Sequence, residues 1–197
     1  MTEDAARPTT KSERTREALR QVAIRHFVDH GFAAASVPAI AAEVGVTERT
    51  FYRHFATKDE VLFVDLITGL QWFGPVVRER LDLGDDLIAA VLFAIQAPPV
   101  DPRLMVEIAR LRVELLRPDR IERSFRDAQG AMARQLRTIL WEHGAAPLTG
   151  AVRAEIVAGA VFAALGVWTE VTGEHQLGSL LERTKTALEL ARPSLLD

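Results

Sequence analysis

The chain has 197 residues, 48% of them hydrophobic and 26% charged, and a net charge of −3, as in an ordinary soluble globular protein. It has no cysteine, which excludes a disulfide framework and thiolate metal sites and fits a reducing, cytoplasmic compartment. The charge is uneven: residues 1–58 carry nine Lys/Arg against seven Asp/Glu, whereas the remainder carries 15 against 20. A basic first third on an acidic body points to an anionic partner at the N-terminal end, although a pI near 6.0 taken alone argues against nucleic acid.

Almost every segment reads as helix, with turn signals between and no alternating β-branched run, so the fold class is all-α. Residues 1–9 read as a disordered tail, and "MTEDAARPTTKSER" holds no apolar signal-peptide core. A first helix starts near Lys11, behind a Thr10/Glu13 capping box, with Leu19, Val22, Ala23 and Phe27 on its apolar face and Gly31 at its end. A second runs from Val37 to Val44, with Ser36 as N-cap and Pro38 in the first turn. Gly45 follows, where a positive φ is needed. Thr47 caps a third helix that ends near Phe55. Thr57 and Glu60 form a second T-x-x-E box, predicting a fourth helix from there to Trp72 or Phe73, before the Gly74-Pro75 pair. Further helices are expected at about 85–96, stopped by Pro98 and Pro99, and at 102–117, 119–143, 150–172 and 178–192. The longest apolar run, Ile156 to Trp168, has 13 residues, short of the roughly 18–20 that span a bilayer, so a buried helix and no membrane partner are expected.

Val37, Ile40, Ala41 and Val44 form a stripe at i, i+3, i+4 and i+7, and Phe51 and Phe55 share one face of the next helix. Packed around the short Gly45-Val46-Thr47 connection, these make a helix-turn-helix over about residues 36–55. Arg49 and Arg53 then point away from Phe51, with Thr50 and Tyr52 on the flanks and Thr47 at the tip, where free N–H groups favour an anion. Arginines on the outer face suit the major groove, and hydroxyls, His and Lys suit phosphates. Lys58 opposes the dipole of the helix it opens, and a phosphate partner would account for that. Glu48 reads either as a first-turn acid that favours the dipole or as an acceptor from cytosine N4.

"SVPAIAAEVGVTERTFYRHFATKDEVL" and the preceding "AIRHFVDHGF" resemble the DNA-binding signature of the tetracycline-repressor (TetR) family over about residues 12–72. The glycine turn, Thr47, Thr50, Phe51-Tyr52, His54-Phe55 and Lys58 fall in step, and His26 departs from the pattern where Leu is expected. The resemblance implies an all-helical homodimer of about nine helices. A three-helix head (12–72) would bind double-stranded DNA at an inverted repeat, and a helical body (73–197) would take a small-molecule effector and dimerise. Carried over by position, Thr47, Glu48, Arg49 and Arg53 are groove candidates, and Ser36, Thr50, Tyr52, His54 and Lys58 are phosphate candidates. Helix 4 would act as the lever joining the Lys58 contact to the body.

The body matches no motif. His143 and His175 are isolated, and there is no H-x-x-x-H, G-x-S-x-G, P-loop or G-x-G-x-x-G, so neither catalysis nor a metal or other cofactor is expected. Trp72, Phe93, Met105, Ile108, Phe125, Met132, Phe162 and Trp168 read as plain core or as the wall of a ligand pocket for a mostly hydrophobic effector. Arg110, Arg112, Gln129 and Arg134 are polar groups that could orient it. Gly159, Ala163 and Gly166 form a small-residue strip that permits close helix approach, within the chain or across a dimer seam with Leu181 and Leu188. The resemblance favours the seam, as a four-helix bundle. The rival reading is a helical small-molecule-binding or interaction protein whose head no longer binds DNA.

Overall fold

The computed structural model describes residues 10–96, 102–170 and 177–195. The tail expected over 1–9, the Pro98-Pro99 stop and His175 lie outside them. The described residues form nine α-helices and two short 3-10 turns, with no strand among them. The chain divides into two compact units, Met1–Val64 and Asp65–Asp197.

The first unit holds α1 (Lys11–His30), α2 (Val37–Val44) and α3 (Glu48–His54), followed by a 3-10 turn at Lys58–Phe63. Its first caps form as expected. The Thr10 hydroxyl accepts from the Glu13 N–H at 3.2 Å while the Glu13 carboxylate accepts from the Thr10 N–H at 2.8 Å, closing the capping box. Ser36 caps α2 through the Ala39 N–H at 3.3 Å. Gly45 ends α2 with φ 75° and ψ 31°, a left-handed conformation that costs an L side chain about 1–2 kcal/mol. Leu19, Ala23, Phe27, Ile40, Ala41, Phe51 and Phe55 meet at the centre, each at most 1% exposed. His26 finds a polar partner instead of the apolar one its position suggested: its Nε2 lies 2.8 Å from the Glu43 carboxylate of α2, to which Arg25 also donates.

The second capping box does not form. Thr57 makes no side-chain cap, and the Glu60 carboxylate accepts instead from the Ala56 N–H at 2.7 Å. With the chain in a tight 3-10 turn, the fourth α-helix begins only at Val64. It then runs through Gly74 and Pro75 to Asp82, past the expected stop. Pro75 is exposed, and so is Gln71, whose carbonyl loses its helical donor because proline has no N–H. Gly74 marks a close approach: a Cβ there would stand 2.9 Å from Gln135 Oε1 on α7.

In the second unit α5 (Leu87–Gln96), α6 (Pro102–Leu115), α7 (Pro118–Glu142), α8 (Pro147–Glu170) and α9 (Leu177–Ala191) complete the bundle with α4, and a 3-10 turn follows at Arg192–Leu195. Phe125, Met132, Leu136 and Ile139 make the buried stripe of α7, which packs along α8, and α8 in turn packs along α9. Lys58–Asp82 and Pro147–Glu170 have the length and apolar content of a membrane span, and each buries a face inside the protein. Arg78 donates to Glu142 at 2.9 Å and His143 Nε2 lies 3.0 Å from Asp82, tying the ends of α4 and α7.

The His26 hydrogen bond, and secondarily the Arg25 charge, hold the Glu43 carboxyl below its ordinary range. A depressed carboxylate pKa stabilises the folded state above the unfolded-state value near 4.3, and that contribution is lost as pH falls through the folded-state pKa. Glu43→Gln is therefore expected to lower the melting temperature at pH 7 and to converge with wild type as pH falls through the folded-state pKa of Glu43. Thermal melts of both proteins across that range check this.

Candidate nucleic-acid interface and inner chamber

A helix of seven residues has little stability of its own. α3 is held from below by Phe51, 0% exposed, whose ring lies 5.3 Å from that of Phe55. The Arg16 guanidinium stands 5.7 Å over the Phe55 ring, tying α1 to the same cluster. The Thr47 hydroxyl accepts from the Thr50 N–H at 3.3 Å and lies 3.0 Å from the Thr50 hydroxyl, so these two threonines brace the first turn.

With that face buried, the opposite one is displayed. Thr47, Glu48, Arg49, Tyr52 and Arg53 are exposed, and Thr50 is half-buried between Thr47 and the core. Neither Arg49 nor Arg53 is ion-paired among the described residues. Tyr52 is 47% exposed and rests edge-on against Phe51 at 5.6 Å, which fixes where its hydroxyl points. Ser36 is exposed at the start of α2, its oxygen engaged as a cap and its proton available to an anion.

Two phosphate candidates differ. His54 is half-buried, and its Nε2 is buried with no hydrogen-bond partner. Burial, then the Arg53 and Arg16 charges, push its pKa below the ordinary histidine value. A neutral imidazole facing inward is a poor phosphate ligand. Lys58 turns inward too: its ammonium donates to the carbonyls of Phe32 and Ala35, the latter at 2.8 Å, and sits 4.4 Å over the Phe32 ring. Burial lowers its pKa from the ordinary lysine value. Its placement against the helix dipole is thus answered within the chain, by the loop between α1 and α2.

The second unit holds two hollows. An open groove of about 450 Å³ runs over α7 and α8, with Phe125, Gln129, Gly159, Phe162, Ala163 and Gly166 among its residues. A smaller hollow of about 130 Å³, the inner chamber, no more enclosed than the groove, brings together Met105, Met132, Phe162 and Trp168 of the expected pocket set. The other expected wall residues lie elsewhere. Trp72 donates to the Ala94 carbonyl at 3.2 Å, Ile108 is fully buried, and Phe93 is 44% exposed with the Arg80 guanidinium 4.4 Å over its ring. Of the orienting candidates, Arg112 lines the chamber and Gln129 the groove, while Arg110 and Arg134 are exposed.

The chamber also holds a feature that sequence reading missed. Arg112 donates to the Asp65 carboxylate, and the two side chains are 2% and 4% exposed. Arg112 stands among the polar candidates of the sequence, but Asp65 shows there only as an acid near the start of α4, and nothing in the sequence pairs the two. Leu188, expected at a dimer seam, is fully buried within its own chain and has no surface to offer a second copy. Gly159 and Gly166 are half-exposed, Leu181 is half-buried and Ala163 is exposed.

Removing the Lys58 ammonium leaves two loop carbonyls without a charged donor, and hydrogen bonds to charged groups contribute about 1.5–3 kcal/mol each. Lys58→Met is expected to destabilise the first unit by about 2 kcal/mol. Urea unfolding followed through the fluorescence of Tyr52 or by amide exchange of α2 would measure it, and an unchanged midpoint would remove the loop-tying role.

Residues 19–64 match the family model described as bacterial regulatory proteins, tetR family. Among characterised proteins, the chain is 36% identical over 77 residues to the candidate mycofactocin biosynthesis regulator MftR of Mycobacterium tuberculosis, which is 38% of this chain and 39% of that protein. It is 45% identical over 51 residues to the HTH-type transcriptional regulator TcmR of Streptomyces glaucescens, 26% of this chain and 23% of that one. The chain thus matches well under half the length of these two relatives. Among solved structures, the TetR-family repressor FadR of Thermus thermophilus, in complex with lauroyl-CoA, superposes with a TM-score of 0.55 at 24% identity, over 92% of this chain and 95% of that one. SmeT, the repressor of the Stenotrophomonas maltophilia multidrug efflux pump SmeDEF, gives a TM-score of 0.52 at 22% identity, over 97% and 91%. The family model thus matches residues 19–64 of the first unit, and the likeness to the two solved repressors is one of fold.

Proposed function

We propose that the chain is a sequence-specific DNA-binding transcriptional regulator, a homodimeric repressor released from an inverted-repeat operator by a small, mostly hydrophobic effector. The observation that carries this reading is the exposed Arg49/Arg53 face of α3, which stands opposite a fully buried Phe51. Two guanidinium forks displayed from a rigidly seated helix match guanine O6 and N7 in the major groove. Thr47 would stand with them at the groove, and Ser36, Thr50 and Tyr52 would position that helix through phosphates. Glu48 is exposed beside Arg49 and fits an acceptor from cytosine N4 as well as a first-turn acid.

The dimer seam would use the outward strip of α8, where Gly159, Ala163 and Gly166 are joined by Val152 and Val167, 47% and 48% exposed, with Leu181 from α9. A homodimer that reads DNA would need its two recognition helices about one DNA turn apart, roughly 34–36 Å, and its operator would then be an inverted repeat. The effector would act by binding one conformation better than the other, and it shifts DNA affinity by that difference and no more. The chamber is the place for it, because Met105, Met132, Phe162 and Trp168 give an apolar wall with an adaptable shape.

Selection of bound duplexes from a random pool at two salt concentrations tests the reading. A single inverted repeat is expected, with binding that falls steeply in salt. Arg49→Ala should then cost about 1–3 kcal/mol and relax the preference at one base position. If the Arg49→Ala/Arg53→Ala double variant binds the selected site as tightly as wild type, α3 does not read the groove.

A further inference from the structure

The inner chamber owes its space to a missing side chain. Asp65, Gly69 and Phe73 succeed one another at intervals of four along α4, share one face of that helix, and all line the chamber. A Cβ at Gly69 would meet nothing within 4 Å, so the space over it is open. Gly69 is not among the glycines with positive φ, which are Gly31, Gly45, Gly84 and Gly144, and the backbone there does not require glycine. Glycine in a helix interior is destabilising relative to alanine or leucine, and the open chamber is what this one provides.

The chamber's polar groups answer one another. Asp65 and Arg112 form a buried ion pair, and the Thr184 hydroxyl donates to the Leu180 carbonyl at 2.8 Å. A ligand carrying a charge would bring an uncompensated ion into this wall, or leave Asp65 or Arg112 uncompensated by competing for its partner. An uncharged ligand meets neither cost. The volume, about 130 Å³, is close to the roughly 150 Å³ of an apolar cavity that holds benzene. Met105 and Met132 let the wall adjust to one ring.

We propose that this chamber binds one uncharged, ring-sized apolar group and that Gly69 sets its size limit. The proposal deepens the effector reading and rests on it for its regulatory consequence only; occupancy itself is read without DNA.

The test uses the full chain with three probes of similar size: toluene, benzoate and benzylammonium. Titration calorimetry and thermal melts are expected to show saturable toluene binding that raises the melting temperature, with both ions at least about ten-fold weaker. Gly69→Leu should bind toluene at least about ten-fold more weakly while melting no lower than wild type, because leucine fills the space and is the better helix former. Toluene that fails to saturate wild type overturns the proposal, as does an ion binding as tightly as toluene. Both comparisons need only the unaltered chain. Undiminished toluene binding to a folded Gly69→Leu overturns the role of Gly69. Operator binding is measured separately: if it is absent while toluene binds as described, the regulatory reading fails and the chamber assignment stands.

Discussion

A seven-residue helix cannot fold on its own, so the display of Arg49 and Arg53 depends on what lies beneath it. Phe51 and Phe55 are the anchors, and each loses essentially all its exposure against α1 and α2. Truncation of a buried phenylalanine typically costs about 3–5 kcal/mol, a large share of the stability available to so small a helical unit. The same two rings set the rotation of α3 about its axis. Residues 49 and 53 face outward because residues 51 and 55 face inward.

The rest of the first unit reinforces that seating from the sides. Thr47 and Thr50 brace the helix start, Arg16 covers Phe55, and Glu43 joins α2 to α1 through His26 and Arg25. Lys58 closes the loop between α1 and α2. Charges that a reading of the surface would assign to DNA are in part used to hold the platform, and the exposed face of α3 is left to Arg49, Arg53 and their hydroxyl neighbours.

The sequence was most legible where the chemistry is local. Caps at Thr10, Ser36 and Thr47 and the turn at Gly45 act over three or four residues, and each is found where its spacing placed it. Thr57 and Glu60 carry the same letters as Thr10 and Glu13 but sit on a 3-10 turn, where the acid reaches one residue further back. The partners of Lys58 are 26 and 23 residues away, and those of the Asp65–Arg112 pair are 47 apart, distances over which periodicity says nothing. The apolar stock of the body was visible, yet only packing separates Met105 and Trp168, which face the chamber, from Ile108, which is plain core. The Gly74-Pro75 pair reads as a stop in one dimension and is a point of helix contact in three.

That pair has a mechanical consequence. Helices bend most readily where a hydrogen bond is missing, and α4 lacks one at the Gln71 carbonyl, in the turn that ends at Pro75. The stretch N-terminal to this point carries Asp65 and Gly69, and the stretch beyond it is fastened by Arg78 and Asp82 to the end of α7. α4 is thus fastened near both ends, by the buried Asp65–Arg112 pair and by Arg78 and Asp82, with its missing hydrogen bond in the stretch between.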